Sequence, residues 1–367
     1  MFSFRKKKVA LTQSDAFDAL AKITHPTAGK DLVSASAIKD LRVEDDNVWL
    51  SIALTAPSAS LRRAVERELK ALGARQVNLK LELTVPSDER LMAAMPIGVK
   101  NALAVASGKG GVGKSTVAAN VAVALAQMGA AVGLMDGDLY GPNIPMMLGI
   151  RGQPIAMGGK MIPLSGHGVR VMSMGMLVEA GTPVIWRGPM LSQAIQQFLG
   201  DVLWGTLDYL IIDLPPGTGD VQLSLSQAMP LTGSLIVTTP QAVALADVVK
   251  GIAMFQQVEV PILGIVENMS YYICPDCGHK EELFGSGGGM RMAEQFSLPL
   301  LGQVPFDAQV RRGGDEGQPV VVRAPDSPAA QALIEIAEKV AVQVSRQNLA
   351  APRRHRPILA PELKFVG

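Results

Sequence analysis

Cysteine is scarce in this chain, with two in 367 residues. That excludes a disulfide framework and suits a reducing compartment, so the cytoplasm is the expected location. Charge of one sign is lacking too: 34 basic against 33 acidic residues leave a net +1. No long-range field draws the chain to nucleic acid or to an acidic membrane, and neither is expected as a partner. No apolar run reaches membrane-spanning length. The basic start, Phe2 to Lys8, is followed by polar and acidic residues rather than the apolar core of a signal peptide. Aromatics make up only 4%, while 48% of residues are hydrophobic and 37 are glycine. This suits an α/β fold of small, closely packed elements. The length exceeds one ordinary domain, so a core domain with an accessory one is expected.

The stretch that organises the rest is Gly108-Lys109-Gly110-Gly111-Val112-Gly113-Lys114-Ser115-Thr116. It meets the G-x-x-x-x-G-K-[ST] template of a phosphate-binding loop at every fixed position. The apolar run 102–106 before it reads as a buried strand, and 115–127 after it as a helix. Strand, loop and helix aim backbone N–H groups and a helix N-terminus at phosphate oxygens. Lys114 is expected at the β- and γ-phosphates and Ser115 on Mg²⁺. Lys109 is not required by an ordinary P-loop. KGGVGKST resembles the deviant Walker A motif of nucleotide-dependent dimer-switch ATPases, which implies that Lys109 reaches a partner protomer's nucleotide.

Further apolar runs at 131–135, 209–212, 235–239 and 262–266 alternate with helical stretches. They predict a P-loop NTPase fold, a mostly parallel sheet covered by helices on both faces. Asp213 closes the run 209–212 in the Walker B manner, where an acid holds a metal-bound water. Asp136-Gly137-Asp138 ends another strand. The sibling ATPases place the water-orienting carboxylate at the second acid, which implies Asp138 for that role and Asp136 for the Mg²⁺ shell. Asn268 follows the run 262–266, and in the family this Asn reads the adenine base.

Residues 1–85 predict a small α+β domain: a helix near 14–23, a hairpin from 38–43 and 48–54, a charged helix 61–72 and a half-exposed strand 77–83. The stretch 86–100, with Pro86 and Pro96, is expected to be a linker. The ATPase domain is expected over 101–350. The tail 351–367, with prolines at 352, 357 and 361 and Arg353-Arg354-His355-Arg356, reads as extended.

Both cysteines lie in Cys274-Pro275-Asp276-Cys277-Gly278. A zinc site needs four ligands, and only His279 stands nearby. A redox dithiol belongs in a thioredoxin-like unit, which does not surround this one. A chance pair of core cysteines does not suit neighbours such as Pro, Asp and Gly, and a fourth reading pairs two chains on a symmetry axis, so that four thiolates hold one cluster.

KGGVGKST, DGDLYGPNIPMMLG, WRGPM, DLPPGTGD, the NMS segment with CPDCG, and FGSGGG occur here in the order found in Mrp (ApbC) proteins. The chain resembles these iron–sulfur cluster carrier ATPases over about residues 95–345, and its first domain resembles their MIP-type assembly domain. The resemblance implies a homodimer that bridges a [4Fe–4S] cluster through Cys274 and Cys277. It also implies ATP and Mg²⁺ as ligands, ATP hydrolysis, and transfer of the cluster from a scaffold to recipient apoproteins. Some relatives carry a cysteine near Thr55-Ala56-Pro57, where this chain has Ser58-Ala59-Ser60. No role follows for Arg187 in WRGPM. The rivals are a spatial-positioning or partition ATPase, and an ATP-binding scaffold with a structural zinc.

Overall fold

The computed structural model describes residues 10–95, 97–138, 141–176, 198–217 and 229–351. Thr12 caps α1 (Gln13–Leu20) in a reciprocal capping box with Asp15. Strands β1 (Ile38–Glu44) and β2 (Asn47–Leu54) form an antiparallel hairpin. Asp45 and Asp46 turn it at φ of 50° and 61°, the left-handed pair that matches strand twist. Ser58 then caps α2 (Ala59–Ala71), which crosses over to β3 (Gln76–Leu83), parallel to β2. Leu20, Leu32, Val48, Ile52, Val65 and Leu69 close this domain's own core.

Short helix α3 (Glu89–Ala94) lies in the stretch expected to be a linker, and Asp88 N–H donates to Lys100 across it at 2.9 Å. The larger unit follows in chain order. It opens with β4 (Ala102–Ser107), α4 (Lys114–Gln127), β5 (Val132–Asp136) and α5 (Ile144–Met147). A small hairpin, β6 (Ile155–Met157) and β7 (Lys160–Ile162), leads to β8 (Leu164–Gly166), β9 (Val169–Ser173) and β10 (Tyr209–Asp213). After β11 (Gly233–Thr238) come α6 (Ala242–Gln257), β12 (Ile262–Glu267), and the short pair β13 (Tyr272–Ile273) and β14 (Lys280–Glu281). Then follow α7 (Gly288–Phe296), β15 (Leu300–Gln303), α8 (Ala308–Glu316), α9 (Val320–Arg323) and α10 (Pro328–Ala350).

Eight strands make one sheet in the order β15-β12-β11-β4-β10-β5-β9-β8, and only β8 runs antiparallel to its neighbour. Its central strands are buried on both faces, so they read as continuous apolar runs. Alternate residues serve opposite cores. Leu103, Val105, Tyr209 and Ile211 pack under α4 and α10, while Ala104, Leu210, Ile212 and Ile236 pack against Val248, Ile252 and Phe255 of α6.

The first domain rests on α10. Glu338, 8% exposed, accepts from Ser60 N and Ser60 Oγ at 2.6 Å each. Ser345 Oγ reaches Thr55 Oγ1 at 2.9 Å, and Arg346 donates to the carbonyls of Pro26 and Thr27 at 3.1 Å.

Candidate nucleotide and cluster site

The P-loop leaves β4 at the sheet's centre and enters α4 at the carboxyl ends of the strands, where an open α/β sheet leaves a crevice. Gly111 and Gly113 hold φ of 81° and 82°, conformations that bend the loop back on itself. At Gly113 a side chain is excluded twice over, since an added Cβ would stand 2.2 Å from Asn268 Nδ2. Gly108 is closely covered by Asp247, so a Cβ there would lie 2.5 Å from it.

Lys109, Gly110, Gly111, Gly113, Lys114, Ser115, Thr116, Asp138 and Asn268 line one cavity of about 620 Å³. Val112 is buried beneath it, and its carbonyl accepts from Asn268 Nδ2 at 2.9 Å. One amide hydrogen of Asn268 is therefore spent on bracing the loop. Lys109 is half-buried on the cavity wall.

Lys114 and Asp213 are both buried, and Nζ lies 2.5 Å from Oδ1. Asp213 is paired in register with Asp136 on the neighbouring strand, and neither acid touches solvent. Burial first, and then the neighbouring Asp213 carboxylate, push the Asp136 carboxyl up to about 7. Burial also lifts Asp213, and the Lys114 ammonium opposes that lift. Asp136 accepts from the N–H groups of Asp138 at 3.1 Å and Ile144 at 3.3 Å, and from Ser173 Oγ at 3.0 Å. It thus ties the start of the Asp-Gly-Asp switch to two other elements, and Asp138 stands above it in the cavity wall. Asp213 Oδ2 is buried with no hydrogen-bond partner. Ser115 Oγ lies 3.3 Å from Lys114 Nζ. An orphaned carboxylate oxygen beside a hydroxyl is a donor set that fits the hard Mg²⁺ ion.

The thiols lie six and nine positions beyond Asn268. Strands β13 and β14 carry them out as a hairpin, closed by Cys274 N–H to the His279 carbonyl and Gly278 N–H to the Cys274 carbonyl, each 2.9 Å. Gly278 takes φ of 72° at the turn. Cys274 is half-buried, Cys277 is exposed, and both are free. The backbone N–H groups of Cys277 and Asp276 hold the Cys274 thiol below its ordinary value. Among the described residues, no group of three or more His, Cys, Asp or Glu could hold a metal ion, so His279 does not complete a site with the pair. Arg187 and the segment 218–220 lie outside the described residues.

Sequence reasoning missed several residues here. Pro305, Phe306, Asp307 and Arg311 form the cavity's far wall, on a segment with no motif. Glu267, fully buried, accepts from Ser270 Oγ and Gly289 N–H at 2.5 Å and from Gln303 Nε2 at 2.7 Å. It fixes the start of α7, and nothing in a Glu at a strand end signals that.

Residues 98–341 match the family described as NUBPL iron-transfer P-loop NTPase, and residues 13–77 match the iron-sulfur cluster assembly protein family. The iron-sulfur cluster carrier protein of Synechocystis is 48% identical over 92% of this chain and 99% of its own length. The protein of that name from Escherichia coli K12 is 43% identical over 91% and 92%. The chain belongs to the iron–sulfur cluster carrier family of P-loop NTPases. Among solved structures, a nucleotide-binding protein in complex with ADP from Archaeoglobus fulgidus is 38% identical with a TM-score of 0.57, covering 66% of this chain and 95% of that one. The septum site-determining protein MinD with Mg-ADP from Pyrococcus horikoshii is 27% identical at a TM-score of 0.51, covering 65% and 95%. These likenesses place the carrier among P-loop folds with a mostly parallel sheet. No helix among its described residues is long and apolar enough to cross a membrane.

Proposed function

We propose that this carrier binds and hydrolyses ATP with Mg²⁺ in the P-loop cavity, and that two protomers hold a [4Fe–4S] cluster between them through Cys274 and Cys277. The cluster is cargo, received from a scaffold and handed to apoproteins in the cytoplasm. One observation carries the reading: the chain presents two free thiols on an exposed turn just past the nucleotide cavity, and no third ligand joins them among the described residues. A cluster bound by cysteines alone needs four, so two chains supply it.

In the nucleotide site, Lys114 gives up Asp213 for the β- and γ-phosphates, trading one charge-assisted partner for another. Loop N–H groups and the α4 N-terminus take the remaining phosphate oxygens. Ser115 and the freed Asp213 would hold Mg²⁺, which neutralises charge on the phosphates. Asp138 orients the attacking water, and Asp136 anchors the switch that carries it. Lys109 reaches the partner protomer's nucleotide, and Asn268 offers its remaining amide groups to the base.

Anaerobic reconstitution with iron and sulfide tests the cluster half. About four irons per dimer are expected, with ATP binding unaffected when either cysteine is replaced. A mixed dimer of one wild-type and one Cys274→Ser/Cys277→Ser chain should lose the cluster. Retention of a full cluster by that mixed dimer would refute the shared site, and zinc in place of iron would favour the structural scaffold.

A further inference from the structure

Phe306 belongs to no motif in the sequence, yet it stands where three features meet. Its ring lines the nucleotide cavity with Asn268, Met269 and Pro305. The same ring meets Phe284 edge-on, with centroids 6.4 Å apart and planes at 79°. Its backbone N–H donates to the Tyr271 carbonyl at 2.7 Å, and it bridges Tyr272 in the parallel sense.

Those contacts reach both legs of the thiol hairpin. Tyr271 and Tyr272 lead into Cys274, and Phe284 follows the returning strand β14. Beyond its two closing hydrogen bonds at Cys274 and the Lys280 ammonium over the Tyr271 ring, 4.0 Å from the centroid, the hairpin has little else to fix it. Its strands share two register pairs, Tyr272 with Glu281 and Ile273 with Lys280, and residues 275–286 are all exposed. A weakly held element moves with the residue that anchors it, and here that residue is part of the cavity wall.

We propose that Phe306 is a positioning residue that passes occupancy of the nucleotide cavity to the Cys274–Cys277 hairpin. The inference rests on the nucleotide and cluster roles proposed above and names the link between them. Phe306 is 45% exposed, so a base or ribose entering the cavity packs on its ring. Displacing that ring shifts Phe284, and displacing its backbone shifts Tyr271. The thiols are then presented differently in the loaded and empty states, which is what a carrier needs if nucleotide is to govern capture or release.

The chain's two cysteines make the test direct. Full-length, reduced, metal-free protein is treated anaerobically with N-ethylmaleimide, with and without saturating Mg-ADP, while nucleotide binding is titrated separately. In the wild type the modification rate should change about fivefold or more on nucleotide binding. Phe284→Ala, which lies outside the cavity wall, should keep nucleotide affinity and lose most of that change. Phe306→Ala at saturating nucleotide should bring the ratio to one, and Phe306→Tyr should restore it. A wild-type ratio of one despite measured binding overturns the proposal, as does a full wild-type ratio in both alanine variants. Failure of the wild type to bind nucleotide at all would instead remove the reading on which the link rests.

Discussion

Asp136 and Asp213 face each other in register at the ends of two adjacent parallel strands, both fully buried, with the Lys114 ammonium on Asp213 alone. One cation thus serves two buried acids. A carboxyl whose folded value lies above its unfolded value costs stability once pH exceeds the unfolded value. The cost grows until pH passes the folded value. For Asp136 that window runs from the ordinary 3.8 to about 7. Relative to the wild type, Asp136→Asn in metal-free, nucleotide-free protein should therefore gain stability from pH 4 to pH 7, by ~2–4 kcal/mol, and plateau above. Denaturant unfolding across that range checks it, and a stability difference that is flat with pH would show that Asp136 is ionised throughout.

The proposed function divides the cationic work between Lys114 and Lys109. Lys114→Ala removes the buried charge at the phosphates and should weaken nucleotide binding by roughly 10–100-fold. Lys109→Ala should leave affinity nearly unchanged and impair nucleotide-dependent dimerisation, read by sedimentation with a non-hydrolysable analogue. Equal losses of affinity in the two variants would contradict the division.

Asp138→Ala should bind ATP normally and turn it over about 10²-fold more slowly or worse, the signature of a lost water-orienting group. Steady-state phosphate release against nucleotide titration separates the two effects. Full turnover in Asp138→Ala together with loss in Asp136→Ala would reverse the roles within the switch.

The parallel sheet, the P-loop and the acids at strand ends were legible because burial on both faces writes strands as unbroken apolar runs. Strand β9 was not. Its run is interrupted by Arg170, whose guanidinium donates to the Trp204 carbonyl. Strand β15 is four residues long and contains Gly302, against which Ile336 packs so closely that a Cβ would stand 2.7 Å from it. The base-reading expectation for Asn268 came from the family resemblance, and local sequence gave no hint that the amide also braces Val112. Phe306 and Glu267 were invisible because their roles depend on contacts made by distant segments.

Glu338 holds the first domain through two short hydrogen bonds to Ser60. Glu338→Ala leaves the Ser60 N–H without that acceptor and should cost about 1–3 kcal/mol at the junction. Limited proteolysis should then cut between residues 84 and 100 faster than in the wild type, with the larger unit's thermal transition unchanged. An unaltered cleavage rate would show that Arg346 and Ser345 suffice to hold the domain.

The helix that receives the first domain is the last among the described residues. During synthesis the domain's chain is complete by Leu83, but its seat on Glu338, Ser345 and Arg346 does not yet exist. At about 5–20 residues per second it waits on the order of ten to fifty seconds for that seat to emerge. Over that interval the polar face of α2, with Ser60 and Arg63, stays in water, and the three-stranded sheet survives on the core of Leu20, Ile52, Val65 and their neighbours alone. Docking therefore waits for α10, whose emergence seats Ser60 on Glu338 and the carbonyls of Pro26 and Thr27 on Arg346.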